Sequence, residues 1–373
     1  MLSDVTLLAP EQLDMHRFPP TTYELPGPFT CRGVCSNTCM VCCCPCGTAC
    51  RMYPTGRVKA EDIEAKAGHR FVALPDGRLL EYTVGGDEES DNVVYFQHGY
   101  MLCGSMACDP TISAICKKAG IKIIAASMPG CGLSDSYPIG KVRTIKEWPA
   151  DVLTILDRER VARTHIWSCS AGCVHAAALA YGLPSERVGN VCLGCPTAPD
   201  GAPGVQEGMS GATVVVKTLM SKRYIGDCLG CCMGKCMSTD TRMNAAPDVA
   251  AAMARAAVES PMLLEGIRNQ FEESLTFTYR GIPDNFPTMA EDYSQWIPKL
   301  SLLIHDQRKI VITTAPDDTT NPPVMQYWFH EKVPGSVLMK FEPGWGHAHN
   351  LITEENIVRQ LHFLKTGMDP EAK

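Results

Sequence analysis

Three residues far apart in the chain carry the groups that acyl transfer requires. A serine nucleophile needs a base to take its proton and a carboxylate to orient that base. The chain offers Ser170, then Asp318, then His347. Ser170 lies in the stretch Ile166-Trp167-Ser168-Cys169-Ser170-Ala171-Gly172-Cys173. An apolar run over 164–167 reads as a short buried strand, and a small-residue helix follows over about 171–181. Ser170 sits in the turn, with Ser168 two residues before it and Gly172 two after, the strand-turn-helix context of a nucleophile elbow. Such a turn needs small flanking residues. It lifts the hydroxyl above the sheet and aims the free N–H groups of the helix N-terminus at it. Taken alone, the same motif suits a turn serine that caps a helix.

The elements around these residues alternate. Strands are predicted over 70–74, 79–84, 93–97, 121–126, 164–167, 191–193, 309–314 and 337–341. Helices are predicted over about 106–119, 145–158, 171–181, 322–333 and 353–365. The turn Pro75-Asp76-Gly77 joins the first two strands as a hairpin. Strands alternating with helices imply a mostly parallel sheet covered on both faces. Ser170, Asp318 and His347 each follow the C-terminal end of a predicted strand, where a parallel sheet presents its ligands. From about residue 199 to 300 the alternation stops, and helices broken by glycine and proline take over, the better ones over 245–264 and 266–275.

Several loops carry a family resemblance. His98-Gly99 follows the third strand, and Pro129-Gly130-Cys131-Gly132-Leu133-Ser134-Asp135 follows the fourth. The elbow Ser168-Cys169-Ser170-Ala171-Gly172 comes next, then Ala315 to Pro322, then Pro343-Gly344-Trp345-Gly346-His347. Together they resemble the capped α/β-hydrolases of the esterase and lipase type, whose triad runs in the order Ser, Asp, His. The resemblance covers about residues 67–198 and 300–373. Ser168 stands where the family usually has glycine, Met128 stands where a charged residue is common, and Cys169 precedes the nucleophile. The resemblance implies an α/β-hydrolase fold, with a mostly parallel central sheet, helices on both faces and an inserted helical cap. It implies a core of 67–198 and 301–373, a cap at 199–300 and a Cys-rich N-terminal extension at 1–66.

By the same resemblance Ser170 is the nucleophile, His347 the base and Asp318 the orienting acid. Asp317 is the second choice of acid, but only Asp318 stands four residues before Pro322. His349 is the second choice of base. The oxyanion hole is expected from the backbone N–H groups of Ala171 and Tyr100, with Met101 an alternative to Tyr100. His98 reads as a brace of its own loop. Aspartate at position 170 would point to dehalogenation or epoxide opening, whereas serine points to hydrolysis of an ester, thioester or amide. Acyl transfer to an alcohol and ligand binding without turnover are the competing readings. The expected partner is a small acyl substrate; no cofactor and no metal are expected, and the oligomeric state is left open.

Composition limits the alternatives. Net charge is -7 and no long basic run occurs, which argues against a nucleic-acid partner. No apolar run reaches the ~18 residues of a membrane span, and the first residues lack the pattern of a secretory signal. The expected location is therefore the cytoplasm. The 20 cysteines modify that expectation, since eight fall between Cys31 and Cys50 and four between Cys228 and Cys236. The first cluster suits thiol packing, S-acylation that would hold the chain at a membrane surface, or a zinc site, in that order. The other eight read as small buried apolar residues of a reducing compartment.

Overall fold

The computed structural model describes residues 68–99, 102–135, 145–199, 201–220, 247–277 and 297–372. The N-terminal extension and both cysteine clusters lie outside the described residues, as do Tyr100 and Met101.

Eight strands form one sheet: β1 (His69–Ala73), β2 (Leu79–Gly86), β3 (Val93–Gln97), β4 (Lys122–Ala126), β5 (Thr164–Cys169), β6 (Val188–Gly194), β7 (Ile310–Thr314) and β8 (Val337–Lys340). Their spatial order is β1-β2-β4-β3-β5-β6-β7-β8. β2 runs antiparallel to β1 and β4, and the other pairings are parallel. The helices are α1 (Pro110–Lys118), α2 (Trp148–Arg158), α3 (Gly172–Gly182), α4 (Gly211–Met220), α5 (Pro247–Glu259), α6 (Pro261–Phe277), α7 (Ser301–His305), α8 (Pro323–Lys332) and α9 (Glu354–Thr366).

The central strands are buried on both faces, which is why they read as apolar runs without alternation. In β5, Ile166 packs with α2, α3 and α8 on one face. Trp167 and Cys169 pack with α1 and α9 on the other. Trp167 meets Phe96 edge-on with ring centroids 4.8 Å apart, and its indole N–H donates to Gln360 Oε1 at 2.9 Å. A buried indole keeps its hydrogen bond this way while contributing its apolar surface. α3 is buried from Gly172 to Ala180, because its alanines let the backbone lie close against the sheet. All eight described cysteines are free thiols, and all but the half-buried Cys108 are buried.

Two expected helices differ from those observed. The helix expected over 106–119 is a 3-10 turn (Gly104–Cys108) followed by α1. Pro110 has no N–H to continue a helix, and Asp109 restarts it by accepting from Thr111 N and Ile112 N at 3.0 and 2.9 Å. The helix expected over 245–264 is divided at Ser260-Pro261 into α5 and α6 for the same reason. Among the described residues no helix is long and apolar enough to cross a membrane.

Candidate active site

The elbow is built by the backbone. Ser170 adopts φ +54°, a left-handed conformation that costs a non-glycine residue on the order of 1–3 kcal/mol and persists only where its surroundings enforce it. Ser170 N donates to Gly194 O at 2.7 Å, which ties the turn to β6. Behind it, a Cβ on Gly172 would lie 2.2 Å from His98 O, so only glycine fits. Ser168, in the position of the usual glycine, is fully buried and donates its hydroxyl to Cys192 O at 3.0 Å. It is a satisfied spacer, bonded across to β6.

The three sequence-predicted side chains meet. Ser170 Oγ lies 2.8 Å from His347 Nε2. His347 Nδ1 lies 2.9 and 3.1 Å from the Asp318 carboxylate oxygens. A carboxylate only accepts, so Nδ1 carries the proton and Nε2 is left to accept from the serine. Asp318 Oδ1 also accepts the N–H groups of Thr320 at 3.0 Å and Asn321 at 2.8 Å. Its side chain is sealed from solvent while that of His347 is 16% exposed. The acid is thus fixed inside and the base opens outward.

The second-choice residues stand elsewhere. Asp317 Oδ2 accepts Gly344 N at 2.7 Å and Gly346 N at 3.2 Å, pinning the loop that carries His347. His349 is buried, bonded through Nδ1 to Gly346 O at 2.8 Å and through Nε2 to Thr313 Oγ1 at 3.1 Å. His98 donates to Gly99 O at 2.8 Å and accepts Met128 N at 2.9 Å, bridging the loops after β3 and β4. Ala171 follows Ser170 and caps α3, where helix N–H groups converge. Tyr100, expected to supply the second oxyanion donor, is among the residues not described. One neighbour escaped sequence reading: Asp248, in the first turn of α5, bonds to Thr319 and His347.

Burial holds several imidazoles neutral. It pushes His98 and His349 down to about 4 and His175 down to about 3, from an ordinary 6.5. In the unfolded chain these groups regain their ordinary affinity for protons. Their contribution to stability is therefore full above about pH 6.5 and is lost as pH falls toward the folded values. The melting temperature is expected to drop between pH 6.5 and 4, and less steeply in His175→Leu, which removes one such group. Calorimetric melts across that range give the comparison; parallel curves for the two proteins would contradict it.

The sheet order, the antiparallel second strand and the serine turn after β5 define the α/β-hydrolase fold. Solved structures agree. The chain is similar to a hydrolase from Pseudomonas aeruginosa with 16% identity and a TM-score of 0.56, covering 81% of this chain and 100% of that one. It is similar to an esterase from a Rhodococcus species (18% identity, TM-score 0.55, 80% and 99% covered). It is also similar to an enol-lactonase from Burkholderia xenovorans (17% identity, TM-score 0.54, 79% and 99% covered). No protein-family model matches the chain, and no curated protein matches it in sequence.

Proposed function

We propose that the chain is a serine hydrolase that cleaves a carboxylic ester, thioester or amide of an apolar acyl substrate. One observation carries this reading: a strained serine on a tight turn stands 2.8 Å from an imidazole whose other nitrogen is held by a sealed carboxylate. In the proposed reaction Ser170 Oγ attacks the acyl carbon as its proton passes to His347 Nε2. Asp318 steadies the imidazolium that forms. The N–H of Ala171, with that of Tyr100, receives the developing oxyanion, each such donor being worth about 3 kcal/mol. His347 then returns the proton to the leaving group. Water, deprotonated by the same imidazole, cleaves the acyl-enzyme.

The segment 199–300 acts in this proposal as the cap. Its described helices are packed onto the core: Ala252, Met253 and Ala256 of α5 against Trp345 and Ile352, and Leu263 of α6 in the cluster that holds Ile112. Nitrophenyl esters of increasing chain length test the reading. Turnover is expected, rising from acetyl to medium-length acyl groups. A folded protein that releases no nitrophenol from any of them would refute it. Adding an alcohol acceptor separates hydrolysis from acyl transfer by whether free acid or a new ester accumulates.

A further inference from the structure

We propose that Asp248 is a positioning residue that holds the loops carrying Asp318 and His347 in one fixed geometry. This rests on the serine-hydrolase reading above. Asp248 Oδ2 accepts the backbone N–H of Thr319 at 3.1 Å and that of His347 at 3.1 Å. Its Oδ1 accepts the Thr319 hydroxyl at 2.6 Å. Successive N–H groups of one turn therefore serve two carboxylates: that of Thr319 goes to Asp248, and those of Thr320 and Asn321 go to Asp318. The same Asp248 oxygen holds the backbone of the base. A single carboxylate thus ties the residue after the acid to the residue that moves the proton.

The helix bearing Asp248 is itself anchored on the base's loop. Ala252, Met253 and Ala256 of α5 form a small core with Trp345 and Ile352. The Arg255 guanidinium stacks 3.9 Å above the Trp345 ring. Gly346 adopts φ +45°, and a Cβ there would come within 2.8 Å of the Asp248 side chain, so the loop closes directly onto this aspartate. α5 is accordingly a strut fixed to the catalytic loops. Asp248 touches no reacting atom; it acts through the position of the imidazole, and a displacement of about 1 Å there can cost on the order of a hundredfold in rate.

The substitutions separate this role from simple stabilisation. In Asp248→Asn the amide oxygen can still accept both N–H donors while its NH2 group faces the Thr319 hydroxyl oxygen. Turnover of a nitrophenyl ester is expected to stay within about threefold of wild type. Asp248→Ala strands both donors, and kcat is expected to fall between about tenfold and a hundredfold with KM within about twofold. The deciding measurement repeats Asp248→Ala in a His347→Ala background, following the slow residual labelling of Ser170 by a fluorophosphonate. A residue that acts through His347 has nothing left to position, so no further loss is expected. An equal loss in both backgrounds, or a wild-type rate for Asp248→Ala alone, overturns the inference and leaves the hydrolase reading intact. A folded wild-type protein that neither labels nor turns over overturns both.

Discussion

Ser170→Ala is expected to lower kcat on an activated ester by about 10⁵- to 10⁶-fold, with no change in the melting temperature. The size follows from what is removed. Without the hydroxyl no acyl-enzyme forms, and His347 and Asp318 have no proton to move. What survives is the oxyanion site and the binding of substrate, which alone sustain on the order of 10³-fold over the reaction in water. Stability is unaffected because alanine meets the same backbone demand at φ +54° as serine does. The Ser170→Gly variant loses activity equally but is expected to melt higher, since glycine adopts that conformation without strain. Steady-state turnover and calorimetry on the three proteins make the comparison. A loss under tenfold in Ser170→Ala would assign the chemistry to another nucleophile.

Asp318→Asn is expected to cost on the order of 10⁴-fold in kcat, against about tenfold or less for Asp317→Asn. The difference lies in what each carboxylate holds. Thr320 N and Asn321 N both donate to Asp318 Oδ1, so the amide oxygen of an asparagine would keep that side. Its NH2 group would then face His347 Nδ1 at the place of Oδ2, now 2.9 Å away. A donor there forces the imidazole proton onto Nε2, where it points at Ser170 and cannot be exchanged for the serine's. Asparagine at 317 can still accept from Gly344 N and Gly346 N through its oxygen. The loop keeps its shape and the tautomer is untouched. Should the Asp317 variant prove the more damaging, the two aspartates have been given the wrong roles.

Much of this arrangement was legible because it is local. The central strands are apolar runs with turn residues at their ends, and Ser170, Asp318 and His347 each lie beyond the end of a strand. The choice between Asp317 and Asp318 followed from the distance to Pro322, and the structure gives the two adjacent residues different partners. The helix breaks at Asp109-Pro110 and Ser260-Pro261 were missed, although the prolines that cause them stand inside the apolar periodicity. Asp248 was not legible. It reads as an ordinary acid in the first turn of a helix, where the dipole favours it. Its bonds reach 71 residues to Thr319 and 99 to His347, and no local pattern marks contacts at that range. Ser168 shows the same limit: its tolerance depends on Cys192 O across the sheet.

The proposed catalysis depends on one serine being a nucleophile activated by its neighbours. Incubating the folded protein with a fluorophosphonate and locating the adduct by peptide mass spectrometry tests this most directly. The reagent bonds rapidly to a serine only where a base removes its proton, and slowly without one. The expected result is one adduct per chain, on Ser170, absent in Ser170→Ala and slowed strongly in His347→Ala. A folded protein that takes up no label, or carries it on another residue with Ser170 unmodified, would contradict the account.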